Sequence, residues 1–175
     1  MKYPHVDRQL FEKNRQNFKK RLSGNSIAIF QSNDEFPRSG DQTHSFKQNA
    51  DLFYLSGIDQ EETILFLFHD CPNPLYKEVL FLRQTNEHIA VWEGHKLTIQ
   101  EAKNVSGIDT IYWLDEFWNI LPSIISYAES IYLNTNENDR YAHKVPYRDI
   151  RFIEKIKNLY PLHNYKRTAL IMREL

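Results

Sequence analysis

A chain of 175 residues is long enough to bury one hydrophobic core and too short for two ordinary domains. With 41% hydrophobic and 26% charged residues it has a globular balance, which excludes a disordered chain. Its 22 basic and 23 acidic residues leave a formal charge of -1, so no basic excess exists to drive phosphate contacts and no nucleic-acid partner is expected.

Asp7–Leu22 has the spacing of an amphipathic helix, with Leu10, Phe11, Phe18 and Leu22 on one face and Lys and Arg on the other; Ser23-Gly24-Asn25 stops it. Ser26–Gln31 predicts a short buried strand, and Ser32–Phe46, with Pro37, Gly40 and many polar residues, a long loop of the kind that often carries function. Asp51–Ser56, Glu62–His69 and Glu78–Arg83 are rich in aromatic, β-branched and leucine residues, and each predicts a strand. Leu97–Val105 predicts a helix with Thr98 as N-cap; Thr110–Trp113 a strand; Asp115–Tyr127 a helix carrying Phe117, Ile120, Leu121 and Ile124; Ser130–Asn134 a strand; Tyr147–Leu159 a helix carrying Ile150, Ile153 and Ile156; and Thr168–Leu175 a last helical stretch. A meander of strands followed by alternating strands and helices predicts an α/β fold, a mixed sheet with helices on both faces. Ile27, Ile29, Leu65, Phe66, Leu80 and Ile111 are its expected core.

A single cysteine, Cys71, excludes an internal disulfide framework and suits a reducing compartment. Met1–Arg8 shows no apolar leader, Met1 reads as the natural start, and the longest apolar run, Ile64–Phe68, is far too short to cross a bilayer. A cytoplasmic location without a membrane partner is therefore expected.

The seven histidines form no HExxH, and no CxxC pair, GxSxG elbow, GxGxxG or P-loop is present. Glu93-Gly94-His95 and the acidic group Asp59, Glu61 and Glu62 read as solvated turns, and Cys71, without a cationic neighbour, as a spectator thiol. By these tests no catalytic residue and no metal ligand is identified in this chain.

The segment Phe46–Gly57, FKQNADLFYLSG, is harder to account for. By itself it is a loop-to-strand junction in which Asn49 or Asp51 caps its own backbone. It resembles the N-terminal domain of the aminopeptidase P (Xaa-Pro aminopeptidase) family, whose R/K-Q-N-x-D-F/L-x-Y-L/F-x-G signature is reproduced by Lys47, Gln48, Asn49, Asp51, Leu52, Tyr54 and Gly57. Val79-Leu80-Phe81, then Val91-Trp92-Glu93-Gly94 and Leu97, resemble that family's strand, W-x-G turn and helix. Phe11, Arg15, Phe18, Arg21 and Leu22 resemble its first helix, and Met172-Arg173-Glu174-Leu175 its linker.

The resemblance implies a creatinase-type, ribonuclease-H-like N-terminal domain over residues 1–165, with residues 166–175 beginning a linker to an absent C-terminal pita-bread catalytic domain. In such a parent enzyme two divalent metal ions, manganese as a rule, are held by two Asp, one His and two Glu of that second domain and cleave the bond before a proline in second position. The fragment itself then carries no cofactor and is expected to be inactive. Its expected partners are the catalytic domain of the same chain, further copies in a homo-oligomer, and the peptide substrate. Trp92 and Tyr54 are the substrate-binding residues the resemblance implies, Trp92 by bordering the pocket from a neighbouring subunit. Two other readings stay open: a non-catalytic peptide- or protein-binding module of the same fold, and the N-terminal domain of a prolidase.

Overall fold

The structure, a computed structural model, describes residues 6–86, 94–135, 137 and 146–175. Asp7 opens α1 (Arg8–Lys19), its carboxylate accepting the Gln9 N–H. The helix buries Phe11, Asn14, Arg15 and Phe18, a stripe at spacings of three and four. Leu10, expected on this face, is 49% exposed because the polar Asn14 and Arg15 occupy the inward positions instead.

Strand β1 (Ser26–Gln31) is buried along its whole length. The segment expected as a loop contains a short exposed hairpin, β2 (Pro37–Ser39) and β3 (Gln42–Thr43). Next comes α2 (Ala50–Ser56), where a strand was expected. Local capping decides the matter. Asn49 accepts the N–H groups of Asp51 and Leu52, and Gly57 closes the helix in the left-handed conformation at φ +71. Leu52 and Leu55, three apart, then face the core together.

Strands β4 (Ile64–Leu67) and β5 (Glu78–Leu82) follow, then α3 (Ile99–Ser106), which Thr98 and Glu101 open with reciprocal side-chain bonds. Strand β6 (Thr110–Trp113), a 3-10 turn at Leu114–Glu116, α4 (Phe117–Ile125) and β7 (Ser130–Leu133) lie close to their expected bounds. The chain ends with α5 (Arg148–Leu159), β8 (Asn164–Arg167) and α6 (Ala169–Met172). β8 is an edge strand whose residues are exposed except for the half-buried Tyr165, so it has no apolar run to announce it. Lys166 and Arg167 thus pair in the sheet, and Ala169 and Ile171 are buried beyond them.

The six strands lie in the order β6-β5-β4-β1-β7-β8. Only β4 runs antiparallel to its neighbours, and the other five share one direction. The sheet is mixed and carries helices on both faces, as expected. Ile27 and Ile29 point to one face with Phe66, Phe81 and the inner sides of α4 and α5. Ala28 and Phe30 point to the other, with Phe18, Leu52, Leu55 and Ala102 from α1, α2 and α3. Strands covered on both faces read as continuous apolar runs, and all six residues expected in the core are buried. Among the described residues no helix is long and apolar enough to cross a membrane.

Arg15 joins four elements and is 1% exposed. One guanidinium nitrogen donates to Leu55 O and Ser106 O, the carbonyls at the ends of α2 and α3, and Nε pairs with Glu78 at 2.8 Å. A cation held at two helix C-termini answers their partial negative charge and their unpaired carbonyls together.

Candidate functional site

The chain leaves β1 toward β4, β5 and β6 on one side, then returns to β7 and β8 on the other. The connections diverge at the carboxyl ends of β1 and β7, where open α/β sheets form their ligand crevice. A cleft of about 480 Å³ opens there, lined in part by Asn33, Asn49, Asp51, Asn134 and Glu137. Asn33 and Asn49 also line a neighbouring cleft of about 520 Å³, with Phe36, Phe46, Arg148 and Asp149 on its walls.

The motif of residues 47–57 builds one edge of this crevice, and most of it is architecture. Gln48 donates to the carbonyls of Ile58 and Gln60 and accepts the Asn49 N–H, clamping the turn that leads into β4. The Tyr54 carbonyl accepts from buried Asn14 of α1. Gly57 is required on two grounds: its positive φ, and the Phe11 ring, which would lie 2.4 Å from an added Cβ. Of the signature, Asn49 and Asp51 line the first cleft, and Lys47 and Asn49 the second. Burial raises the Asp51 carboxyl above its ordinary value, and a hydrogen bond from Asn134 of the opposite wall opposes the rise.

Asp149, in the first turn of α5, is 6% exposed. Burial pushes its carboxyl up to about 7; nearby Arg148 opposes the rise, and Asp51 and Asp34 add to it. Asp34 is engaged elsewhere. It accepts the Arg148 N–H and both terminal nitrogens of Arg151, which caps α5 from outside. Glu137 is held by Arg167 at 3.0 Å and Arg173 at 3.6 Å. The first cleft is therefore a slot of carboxylates, amides and the Arg173 guanidinium, suited to the N–H and C=O groups of an extended chain, and the second adds the apolar walls of Phe36 and Phe46.

Sequence reasoning singled out two stretches that line this site, the loop 32–46 and the motif 47–57, but not their meeting with Asn134, Glu137 and Asp149, because these residues come from element ends far apart in the chain. Of the residues it named, Tyr54 sits half-buried on α2 with its ring against the core. Trp92 lies outside the described residues. The acidic turn after Gly57 is not wholly solvated: Glu61 is 4% exposed and pairs with Lys96 and with Arg83. Burial alone would raise this carboxyl, but the Lys96 hydrogen bond and the charges of Lys96 and Arg83 hold it below its ordinary value. His95 is exposed and lies 3.2 Å from Glu101. Cys71 is buried, which raises its thiol. Among the described residues no group of three or more His, Cys, Asp and Glu is gathered as a metal would require.

The family model described as "Aminopeptidase P, N-terminal domain" matches residues 11–132. Xaa-Pro aminopeptidase of Haemophilus influenzae is 26% identical over 127 residues, covering 73% of this chain and 29% of that protein. Mouse Xaa-Pro aminopeptidase 3 is 30% identical over 95 residues, covering 53% of this chain and 19% of that protein. The chain thus spans less than a third of the length of these relatives. Among solved structures, a Bacillus anthracis protein assigned to aminopeptidase P superposes with a TM-score of 0.81 at 22% identity, covering 93% of this chain and 38% of that one. Aminopeptidase P of Escherichia coli gives 0.70 at 22% identity, covering 94% and 37%. At such identity the superpositions establish the fold, and the family model, which spans most of the chain, establishes the rest: this chain belongs to the aminopeptidase P N-terminal domain family.

Proposed function

We propose that this chain is the non-catalytic N-terminal domain of an Xaa-Pro aminopeptidase, shaping the substrate entrance and contributing to contacts between copies. The family match over residues 11–132 carries the reading. The chemistry belongs to a second domain, which holds two divalent metal ions, manganese in this reading, and residues 166–175 lead toward it. The parent is a cytoplasmic homo-oligomer acting on peptides with proline in second position. On this side the domain offers the crevice at the carboxyl ends of β1 and β7, whose amides and carboxylates suit a peptide backbone.

Within this reading Trp92 and Tyr54 bind substrate and take no part in bond cleavage. Trp92→Ala in the longer enzyme raises KM by the equivalent of about 1–3 kcal/mol and leaves the metal content unchanged. Tyr54→Phe, which keeps the core packing, tests the hydroxyl separately. Steady-state kinetics with metal analysis checks both; an unchanged KM for Trp92→Ala, with a large loss of thermal stability, would make that side chain a core residue.

A further inference from the structure

A third cleft, of about 240 Å³, lies on the α4–α5 face of the sheet. Gln31 and Ile64 line it from the sheet, Trp118 from α4, and Arg148, Arg151 and Lys155 from α5. Spacings of three and four place these cations in one stripe along the helix. No acidic side chain lines the cleft among the described residues.

The hydrogen bonding leaves donors over and no acceptors. Arg151 is committed to Asp34 and to the Pro146 carbonyl. Arg148 Nε donates to Gln31 Oε1 at 3.1 Å, and its two terminal side-chain nitrogens have no acceptor among the described residues. Because Nε can only donate, that bond fixes the orientation of the Gln31 amide. Gln31 Nε2 is then left buried without an acceptor, on a residue that is 4% exposed. It gains one only if an acceptor enters beside it. Lys155 Nζ lies 3.5 Å from the Trp118 ring centroid and is paired with no carboxylate among the described residues. Glu62, Asp34 and Asp149 act on Arg148 electrostatically, but Glu62 is paired with Arg83 at 3.4 Å, Asp34 with Arg151 and the Arg148 N–H, and Asp149 lines the neighbouring cleft.

A buried amide donor, a forked guanidinium and an ammonium around one small space call for a planar anion with two acceptor oxygens. Trp118, Phe117 and Phe152 supply apolar walls that a fully hydrated phosphate would not use. We propose that this cleft binds a carboxylate carried on a small apolar body, from the free C-terminus of a short peptide or from a small organic acid. This holds whether or not the parent is an aminopeptidase.

The test is a titration of the 175-residue chain followed by amide NMR, at constant pH and matched chloride. The probes are N-acetyl-leucine, Gly-Pro-Leu, the C-terminal amide of each, and inorganic phosphate. The acids shift the Gln31 side-chain amide and the Trp118 indole signals saturably, and each binds at least about tenfold tighter than its amide. Tighter binding of the tripeptide identifies a peptide terminus as the source; equal binding identifies a small acid. Gln31→Glu replaces the amide donor by an anionic oxygen that pairs with Arg148 and repels the ligand's carboxylate, and abolishes binding. Lys155→Met, at an exposed position, weakens it several-fold without altering the folded spectrum, and so keeps the test open should the first variant unfold. Equal binding of acid and amide, preference for phosphate, or wild-type affinity in the folded variants would overturn the proposal.

Discussion

Asp149 carries a cost that depends on pH. Its carboxyl is pushed up to about 7 in the folded chain from an ordinary 3.8, chiefly by burial. Between those values the folded state holds a proton that the unfolded state has lost, so the stability due to this group falls as pH rises. The loss is absent below about pH 4 and complete above about pH 7, where it reaches roughly 4 kcal/mol. Asn mimics the protonated acid. Asp149→Asn is therefore neutral near pH 4 and stabilising by up to that amount at pH 8. Urea unfolding of both proteins across this range checks it, since the difference between them cancels the other titrating groups; a pH-independent difference contradicts the assignment.

At the level of the element, α2 shows how capping outweighs strand propensity. Of its seven residues, ADLFYLS, Phe53 and Tyr54 favour a strand while Ala50, Leu52 and Leu55 favour a helix, and two turns are too few for helical periodicity to show. What was legible was the capacity of Asn49 to bind its own backbone; its consequence, a helix, was not drawn from it. Asn49→Ala removes the cap and costs about 1 kcal/mol, while Asn49→Asp retains most of it. Chemical denaturation of the two variants distinguishes this role from a purely ligand-binding one, in which stability would not change. Arg15 acts over a longer range, across the ends of α2 and α3 and the start of β5. Arg15→Met leaves two buried carbonyls without their donor and Glu78 with Lys19 as its remaining partner, and costs about 3–5 kcal/mol by the same measurement. A change under 1 kcal/mol would mean that water replaces the guanidinium at little cost.

For the molecule as a whole, the apolar strands were legible because a sheet covered on both faces writes itself as short hydrophobic runs. Ile27 and Ile29, Leu65 and Phe66, Leu80 and Ile111 all lie in it. The edge strand β8 was not legible, since Asn164, Lys166 and Arg167 face solvent. The crevice was not legible either. Asn33, Asn49, Asp51, Asn134 and Asp149 meet only because the strand order reverses beside β1, and no local pattern encodes that reversal. The signature of residues 47–57 identified the family while chiefly maintaining the fold, through Gln48, Asn49 and Gly57. In the proposed reading the domain presents substrate to a chemistry housed in a second domain, and the family match is what supports it. The most direct measurement is release of the first residue from a tripeptide with proline in second position, in the presence of manganese. It compares the 175-residue chain with the longer protein that joins it to a metal-binding domain. Turnover by the longer protein alone is the predicted result; turnover by the purified chain, or none from a longer protein with its metal sites filled, would contradict the account.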